Sequence, residues 1–385
     1  MLTVNYITRP YFHDIALELI QELKQKCALT VIIIISPWNV DYLDIKDDSI
    51  QGFGKPFKLT KEVSDKIYSR YANYFEGANV ILKYEEVREA SLKNTLRWIK
   101  LFSSNKSILK ADLTIMESFS IKADWYLISK FRNKKIYYIV HDPVPHTGEG
   151  RMGTKAITNI YYKYVDKFLL YSSFSTDLFN EHYAQYAGRT ITLRTPIYNN
   201  LKAAVQINAS TYKKKVLFFG RISPYKGVEL FYSAAEQLSK EFKDVLFTIA
   251  GKALMGYSPE FLDNNANANI QIINQFIDLD LLGELMTESS FCVLPYLDAT
   301  QSGVVMTAYA YELPVLVSDC PGLLEYCFDP LNFSFKNGDL DELISKMRNL
   351  LSDESLVRES RKSIVAYSDM NVSEKNVNKI LEIAQ

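Results

Sequence analysis

The sequence predicts an α/β protein built from two doubly wound, Rossmann-like domains in tandem, and three observations lead there. The chain has 385 residues, more than one ordinary core accommodates. Continuous apolar runs alternate with amphipathic helical stretches, as in a parallel sheet covered on both faces. The alternation lapses once near the middle and then starts again. That lapse marks a domain at residues 1–195, a linker at 196–214, a second domain at 215–366 and a closing helix at 367–385. Sheets of this kind bind ligands at the carboxyl ends of their strands, so two of them facing each other imply a cleft.

In order, "LTVNYIT" reads as a strand, "FHDIALELIQELKQK" as an amphipathic helix and "LTVIIIIS" as a second strand. Strand "ADLTIME", a helix through "DWYLISKF", and strands "KIYYIVHD", "KFLLYSS" and "TITLRTP" complete the first domain. The linker, within "PIYNNLKAAVQINASTYKKK", is polar, Asn-rich and basic. The second series runs strand "KVLFFGR", helix "GVELFYSAAEQLSKEF", strand "VLFTIAG", strand "IQIINQF", helix "DLDLLGELMTES" and strand "FCVLPY". A short helix stopped by Pro314, strand "PVLVSD", helix "GDLDELISKMRNLLSD" and final helix "SEKNVNKILEIA" follow.

The composition is that of a soluble globular enzyme, with 48% hydrophobic and 23% charged residues. A formal net charge of -1 gives no global reason to invoke nucleic acid. Cys27, Cys292, Cys320 and Cys327 form no CxxC pair and no cluster with histidine, which fits reduced, mostly buried thiols. No secretory signal is visible, and the longest apolar run, "LTVIIIIS", is too short to span a bilayer. A cytoplasmic protein is expected, and the sequons at Asn208, Asn332 and Asn371 are then chance matches.

Two loops stand where a ligand would bind. "GRISPYKG", Gly220 to Gly227, follows an apolar strand and precedes a helix. Arg221 offers a planar fork and Lys226 a point charge beside a helix N-terminus, a combination suited to a diphosphate. It is neither a Walker A loop nor a GxGxxG fingerprint. The other reading is a basic loop that solvates a helix start. "DATQSGVVMTAYAYELPV", Asp298 to Val315, joins two buried strands through a small polar turn and a helix N-terminus. Backbone amides around Gln301, Ser302, Gly303 and Val304 can hold an anion there, although no carboxylate lies between Asp298 and Glu312. The alternative is a helix simply capped by Ser302. Asp278 and Asp280 in "DLD" open a helix, where aspartates cap orphan amides; a DxD metal site competes with that reading.

Together these segments resemble the retaining GT-B glycosyltransferases of the glycosyl transferases group 1 family. "GR-x4-KG" is similar to the family's donor-diphosphate signature, and "FTIAGKA" to its strand ending in a glycine turn. "INQFIDLDLLGELMTESSFCVLPY", "AYAYELPVLVSDCPGLLEY" and "KNGDLDELISKMRNLL" resemble the segments that follow. The likeness is detailed over 215–385 and architectural before that. It implies the GT-B fold, with two domains across a cleft and the C-terminal helix crossing back to the N-terminal domain. It also implies a metal-independent hexosyltransferase without a cofactor. The co-substrate would be a UDP- or GDP-linked sugar, and the acceptor a saccharide or lipid-linked saccharide, as in cell-surface polysaccharide or glycolipid assembly. In this scheme Arg221 and Lys226 stabilise the leaving diphosphate, the Gln301–Val304 amides orient the donor and Thr307 meets the ribose. The family usually carries two glutamates, one before the turn and one on the helix behind it. Registering on "ELPV" places Ala299 and Thr307 at those positions, and Glu312 where the family usually has glycine. This departure leaves two alternatives open: a non-catalytic nucleotide-sugar-binding relative, and a nucleotide-sugar epimerase.

In the first domain, "IVHDPVPHTGEG" sets His141 and Asp142 at the end of an apolar strand. The resemblance implies a catalytic His141 near donor sugar and acceptor. A buried structural histidine and a His141/His146 metal pair are the other readings. "TRPYFHD" lacks the family's glycine pair and offers Arg9 and His13 as acceptor or cleft contacts. Over residues 88–110, helical spacing sets Leu92, Leu96, Ile99 and Phe102 on one face and Lys93, Arg97 and Lys100 on the other, with Lys106 and Lys110 beyond. Such a helix either packs on the sheet or lies on an anionic membrane, making the protein peripheral at the inner face.

Overall fold

The computed structural model describes residues 1–36, 57–58, 71–85, 92–117, 129–131, 134–144, 154–202 and 215–385. Most of the helix expected through "DWYLISKF", His146, residues 88–91, the side chains of Leu92 and Lys93, and linker residues 203–214 lie outside the described residues. The chain separates into two units. One comprises Met1–Pro143, Arg151–Pro196 and Val372–Gln385, the other Val144–Gly150 and Ile197–Asn371.

The first unit holds β1 (Thr3–Thr8), β2 (Ala28–Ile35), β3 (Phe57–Lys58), β4 (Asn79–Tyr84), β5 (Leu113–Glu117), β6 (Lys135–Ile139), β7 (Lys167–Leu170) and β8 (Thr190–Thr192). They form one sheet in the order β3-β4-β2-β1-β5-β6-β7-β8, parallel except for the short β3, which runs antiparallel to β4. Val31, Ile32, Ile33, Ile34 and Ile35 are consecutive and all buried, which requires both faces of the sheet to be covered. From β1 the chain moves to one side, through β2 and β4, and then returns to β1's other side as β5. The switch point therefore lies between Thr8 and Glu117, at the carboxyl ends of β1 and β5.

An aromatic core packs this unit. Tyr162 meets Phe168 at 4.7 Å and Tyr183 at 5.2 Å between ring centroids. The last helix, Val372–Ala384, belongs to the same unit and packs along helix His13–Lys26, with Lys26 and Glu374 paired at 2.9 Å. Asn376, buried, donates to Arg194 O at 2.7 Å and accepts from Arg194 N at 3.2 Å.

Helix Leu92–Ser104 corrects the expected assignment of faces. Its buried stripe is Trp98, Leu101 and Phe102, with Trp98 fully buried and stacked on Phe102 at 5.5 Å. Trp98 brings the largest apolar area in the segment and sets the rotation of the helix. Leu96 and Ile99, placed on the packed face by spacing, are instead 57% and 44% exposed, on a helix whose Lys100 is also exposed.

The second unit holds β9 (Lys215–Phe219), β10 (Leu246–Ala250), β11 (Ile270–Ile273), β12 (Phe291–Leu294), β13 (Val315–Ser318) and β14 (Ser334–Phe335), all parallel, in the order β11-β10-β9-β12-β13-β14. Its switch point lies between β9 and β12, paired at Val216–Phe291 and Leu217–Cys292. Asp278 caps helix Leu279–Glu288, accepting from Leu281 N at 2.9 Å. Asp339 and Asp353 cap the two long helices near the end of the unit in the same way. All four cysteines are buried and free. Among the described residues no helix is long and apolar enough to cross a membrane, and no group of three His, Cys, Asp or Glu could hold a metal ion.

Candidate functional site

At the second unit's switch point, the chain leaves β9 through Gly220 and Arg221 and turns at Pro224–Lys226 before helix Val228–Glu241. Gly227 closes that turn at φ 63, and a Cβ there would stand 1.9 Å from Pro295 O, so only glycine fits. The approach exists because the loop after β12 runs alongside. Leu297 N donates to Tyr225 O at 2.7 Å. The same loop is fastened from behind: Ser318 Oγ donates to Tyr296 O at 2.5 Å and Asn337 Nδ2 to Leu297 O at 2.8 Å. The structure thus brings the Arg221/Lys226 loop and the Asp298–Val304 stretch to one edge of one sheet.

Arg221 is exposed and Lys226 half-buried. Lys226 Nζ lies over the face of Tyr296, 3.7 Å from the ring centroid, and 5.1 Å from that of Tyr225. Beyond the loop, helix Gly303–Ala310 starts with Ser302 at the N-cap position, but the Ser302 side chain makes no cap hydrogen bond. The first amides of a helix have no acceptor within it, so these remain available to a ligand. The Ser302 Oγ and Tyr296 hydroxyl are both buried and face each other, with no further hydrogen-bond partner for either. Gln301 is half-buried beside them. Ala299 is 3% and Thr307 4% exposed, and the Thr307 hydroxyl donates to Gly303 O at 2.9 Å, so its proton is committed to the helix.

In the first unit, β1, β5 and β6 end on a buried polar cluster. Glu117, closing β5, accepts from Thr8 Oγ1 at 2.6 Å and from the Tyr6 hydroxyl at 3.2 Å, and pairs with His141 Nε2 at 3.1 Å. His141 also stacks on Phe12, with ring centroids 4.2 Å apart and planes within 4°. Burial pulls the His141 pKa down, but the Glu117 hydrogen bond, with the charges of Glu117, Asp142 and Asp14, outweighs it and leaves the pKa above the usual 6.5. Arg9 is turned toward Glu85, 3.6 Å away, and Glu85 also pairs with the buried Lys83. Asp142 is exposed. His13 is 4% exposed, packs edge-on to Phe75 and is driven by burial to a pKa of about 3. It is a neutral core residue, not a side chain offered at the edge. Burial lifts Asp14 to about 6.

Glu117 and Tyr296 are absent from the sequence reading. Glu117 had a usable signal, a carboxylate ending an apolar strand in "ADLTIME". Tyr296 had none, since it closes "FCVLPY" as an ordinary core aromatic would.

Residues 213–353 match the family model for glycosyl transferases group 1. No curated protein matches the sequence. Several solved structures match over the whole chain. The HepE protein Alr3699 of Anabaena, in complex with UDP and glucose, is 14% identical over 100% of this chain and 99% of its own, with a TM-score of 0.69. Sucrose-phosphate synthase (tll1590) from Thermosynechococcus elongatus is 14% identical over 100% of both chains, with a TM-score of 0.68. The E. coli trehalose-6-phosphate protein bound with UDP-2-fluoro glucose is 11% identical over 99% of this chain and 98% of its own, with a TM-score of 0.68.

Proposed function

We propose, from a chain that has the GT-B fold and carries a glycosyl transferases group 1 domain at residues 213–353, that it moves a hexose from a nucleotide-diphosphate sugar to a saccharide or lipid-linked saccharide. The observation that carries the reading is the meeting of Lys226, Arg221 and an uncapped helix N-terminus at the β9–β12 switch point. Two cations and a row of amides match the charge of a diphosphate without a metal ion. The solved relatives named above include structures with UDP, with glucose and with UDP-2-fluoro glucose, and a UDP- or GDP-linked donor is the corresponding co-substrate here.

In this reading the bond between the anomeric carbon and the β-phosphate oxygen lengthens and breaks. Negative charge grows on that oxygen, and Lys226 and Arg221 stabilise it. The acceptor hydroxyl oxygen bonds the anomeric carbon from the face the diphosphate leaves, retaining configuration, and its proton passes to the departing diphosphate. His141, with Nε2 on Glu117, serves the reacting centre as a hydrogen-bond donor rather than a base. Arg221→Ala with Lys226→Ala lowers kcat by roughly 10²-fold or more on the best donor of a nucleotide-sugar panel. Unchanged turnover across that panel would sink the proposal.

The buried Ala299 and the back-bonded Thr307 favour one other reading, a nucleotide-sugar-binding protein without turnover. Nucleotide release from the panel separates the two, since tight binding with no release belongs to the binding protein. Work at the cytoplasmic face of a membrane, through the basic helix Leu92–Ser104, is part of the main proposal. Its exposed Leu96 and Ile99 support it.

A further inference from the structure

We propose that Thr8 and Tyr6 are positioning residues for His141: their hydroxyls clamp one oxygen of Glu117, and the other oxygen then holds the imidazole beyond the end of β6. The inference deepens the reading above and rests on it.

The clamp is built from three neighbouring strands. β1 pairs with β5 through Tyr6–Ile115 and Ile7–Met116, and β5 pairs with β6 through Glu117–Ile139. Residues two apart on a strand share a face, so Tyr6 and Thr8 reach the same side chain. Thr8 Oγ1 donates to Glu117 Oε2 at 2.6 Å, and the Tyr6 hydroxyl donates to the same oxygen at 3.2 Å. Glu117 Oε1 meets His141 Nε2 at 3.1 Å. Thr8, Tyr6 and Glu117 are all buried, so water does not compete for these bonds.

Two donors on one oxygen matter because the last torsion of a glutamate is soft. Its carboxyl group rotates over a broad, two-fold range, and a strand end alone does not aim it. With Oε2 fixed by Thr8 and Tyr6, Oε1 has one direction to offer. The imidazole has a similarly broad last torsion. Phe12 sets the plane of the ring, lying within 4° of it at 4.2 Å, and Glu117 sets the rotation within that plane.

Both constraints start from the end of β1. Thr8 carries the clamp, and Phe12 closes the turn that follows, its N–H donating to Arg9 O at 2.9 Å. Tyr6 stays a donor, since burial and then the charge of Glu117 push its phenol well above the usual 10. The charged and titratable groups around His141 are Glu117 on β5, Asp14 on the helix after β1 and the adjoining Asp142. Tyr6 stands behind Glu117, and Tyr171 acts on Tyr6 in turn. A reacting group displaced by about 1 Å costs on the order of 100-fold in rate, so a clamp one side chain removed from the imidazole acts on turnover rather than on donor binding.

The test is steady-state nucleotide release by the full chain from the best donor of the nucleotide-sugar panel, as wild type, Thr8→Val, Thr8→Ser, Tyr6→Phe, His141→Asn and the Thr8→Val/His141→Asn double variant. Thr8→Val and Tyr6→Phe each lower kcat about tenfold and leave the donor KM within about threefold, as misorientation without lost binding does. Thr8→Ser, which keeps the hydroxyl, stays within about twofold of wild type. In the His141→Asn background Thr8→Val adds nothing. Because the ring acts as a donor, kcat falls as pH rises through its titration, and Thr8→Val moves that fall to lower pH. A second measurement needs no turnover. The His141 C2–H titration in NMR, assigned by its loss in His141→Asn, shifts to lower pH in Thr8→Val and not in Thr8→Ser. If Thr8→Val unfolds the unit, Tyr6→Phe, which removes only an oxygen, carries the same comparisons. An equal His141 titration in wild type and variant overturns the inference, as does a loss that persists without His141 or lies in the donor KM. A wild type that releases nucleotide from no donor sinks the reading above, and the inference with it. Release that the Thr8 and Tyr6 variants leave unchanged sinks the inference alone.

Discussion

Glu312 shows what a single residue can reveal once its backbone is known. It sits at φ 55, and the end of helix Gly303–Ala310 is closed by bonds from Glu312 N to Tyr309 O and Leu313 N to Ala308 O, each 3.0 Å. That pattern needs a left-handed residue, the place glycine fills at low cost. A glycine, which the family resemblance implies at this position, would fill that conformation at lower cost than glutamate. Glu312→Gly is expected to stabilise the second unit by about 0.5–1 kcal/mol, offset in part by losing the attraction of Glu312 for Arg361. A midpoint unchanged or lowered in denaturant titration contradicts it. His141 makes a second case. Its pKa is raised, so the charged ring stabilises the fold fully below 6.5, and that contribution is lost as pH rises through the raised value. Glu117→Gln leaves burial as the dominant influence, and the His141 C2–H titration in NMR moves below 6.5; no movement would show that Glu117 does not hold the charge. The position of Arg221 and Lys226 between a strand end and a helix start was legible because that order is local in sequence. The Glu117–His141 pair was not, because β5 and β6 bring it together only in the folded sheet.

At the scale of elements, strands were the easiest to read, because runs such as Val31–Ile35 stay apolar only when both faces are covered. Helix Leu92–Ser104 was harder. Spacing identified it as amphipathic, but two apolar stripes compete on its surface, and Trp98 decides which packs. From Leu92 to Lys110 the chain carries Lys93, Arg97, Lys100, Lys106 and Lys110 and no acidic residue, in a protein whose formal net charge is -1. Exposed Leu96 and Ile99 beside that charge are suited to an anionic bilayer surface. The full chain is expected to co-sediment with vesicles containing about 30% phosphatidylglycerol and to stay in solution with phosphatidylcholine alone, on the order of 1 kcal/mol of attraction coming from each basic residue near the surface. Leu96→Ser with Ile99→Ser weakens that binding without changing the thermal midpoint, because neither side chain is in the core. Equal binding to both kinds of vesicle, or an unaffected double variant, rejects the membrane role.

For the whole molecule, the chain's order and its folding units disagree. Residues 372–385 follow the second unit in sequence but belong to the first, so the first unit is completed only by the last residues. Asn376 is where this can be tested, since its amide serves both the N–H and the carbonyl of Arg194. Asn376→Leu preserves the apolar contact of the helix but leaves two backbone groups unpaired, a loss of about 1–3 kcal/mol. Two units give two unfolding transitions where they unfold independently, and calorimetry resolves the parts when a ligand marks one of them. If UDP or GDP binds at the β9–β12 edge as proposed, it raises the second unit's transition through mass action. Asn376→Leu is therefore expected to lower the transition that the nucleotide does not protect and to leave the protected one in place. Lowering of the protected transition alone would assign the last helix to the wrong unit. A fall of both by the same amount would show that the two units unfold as one.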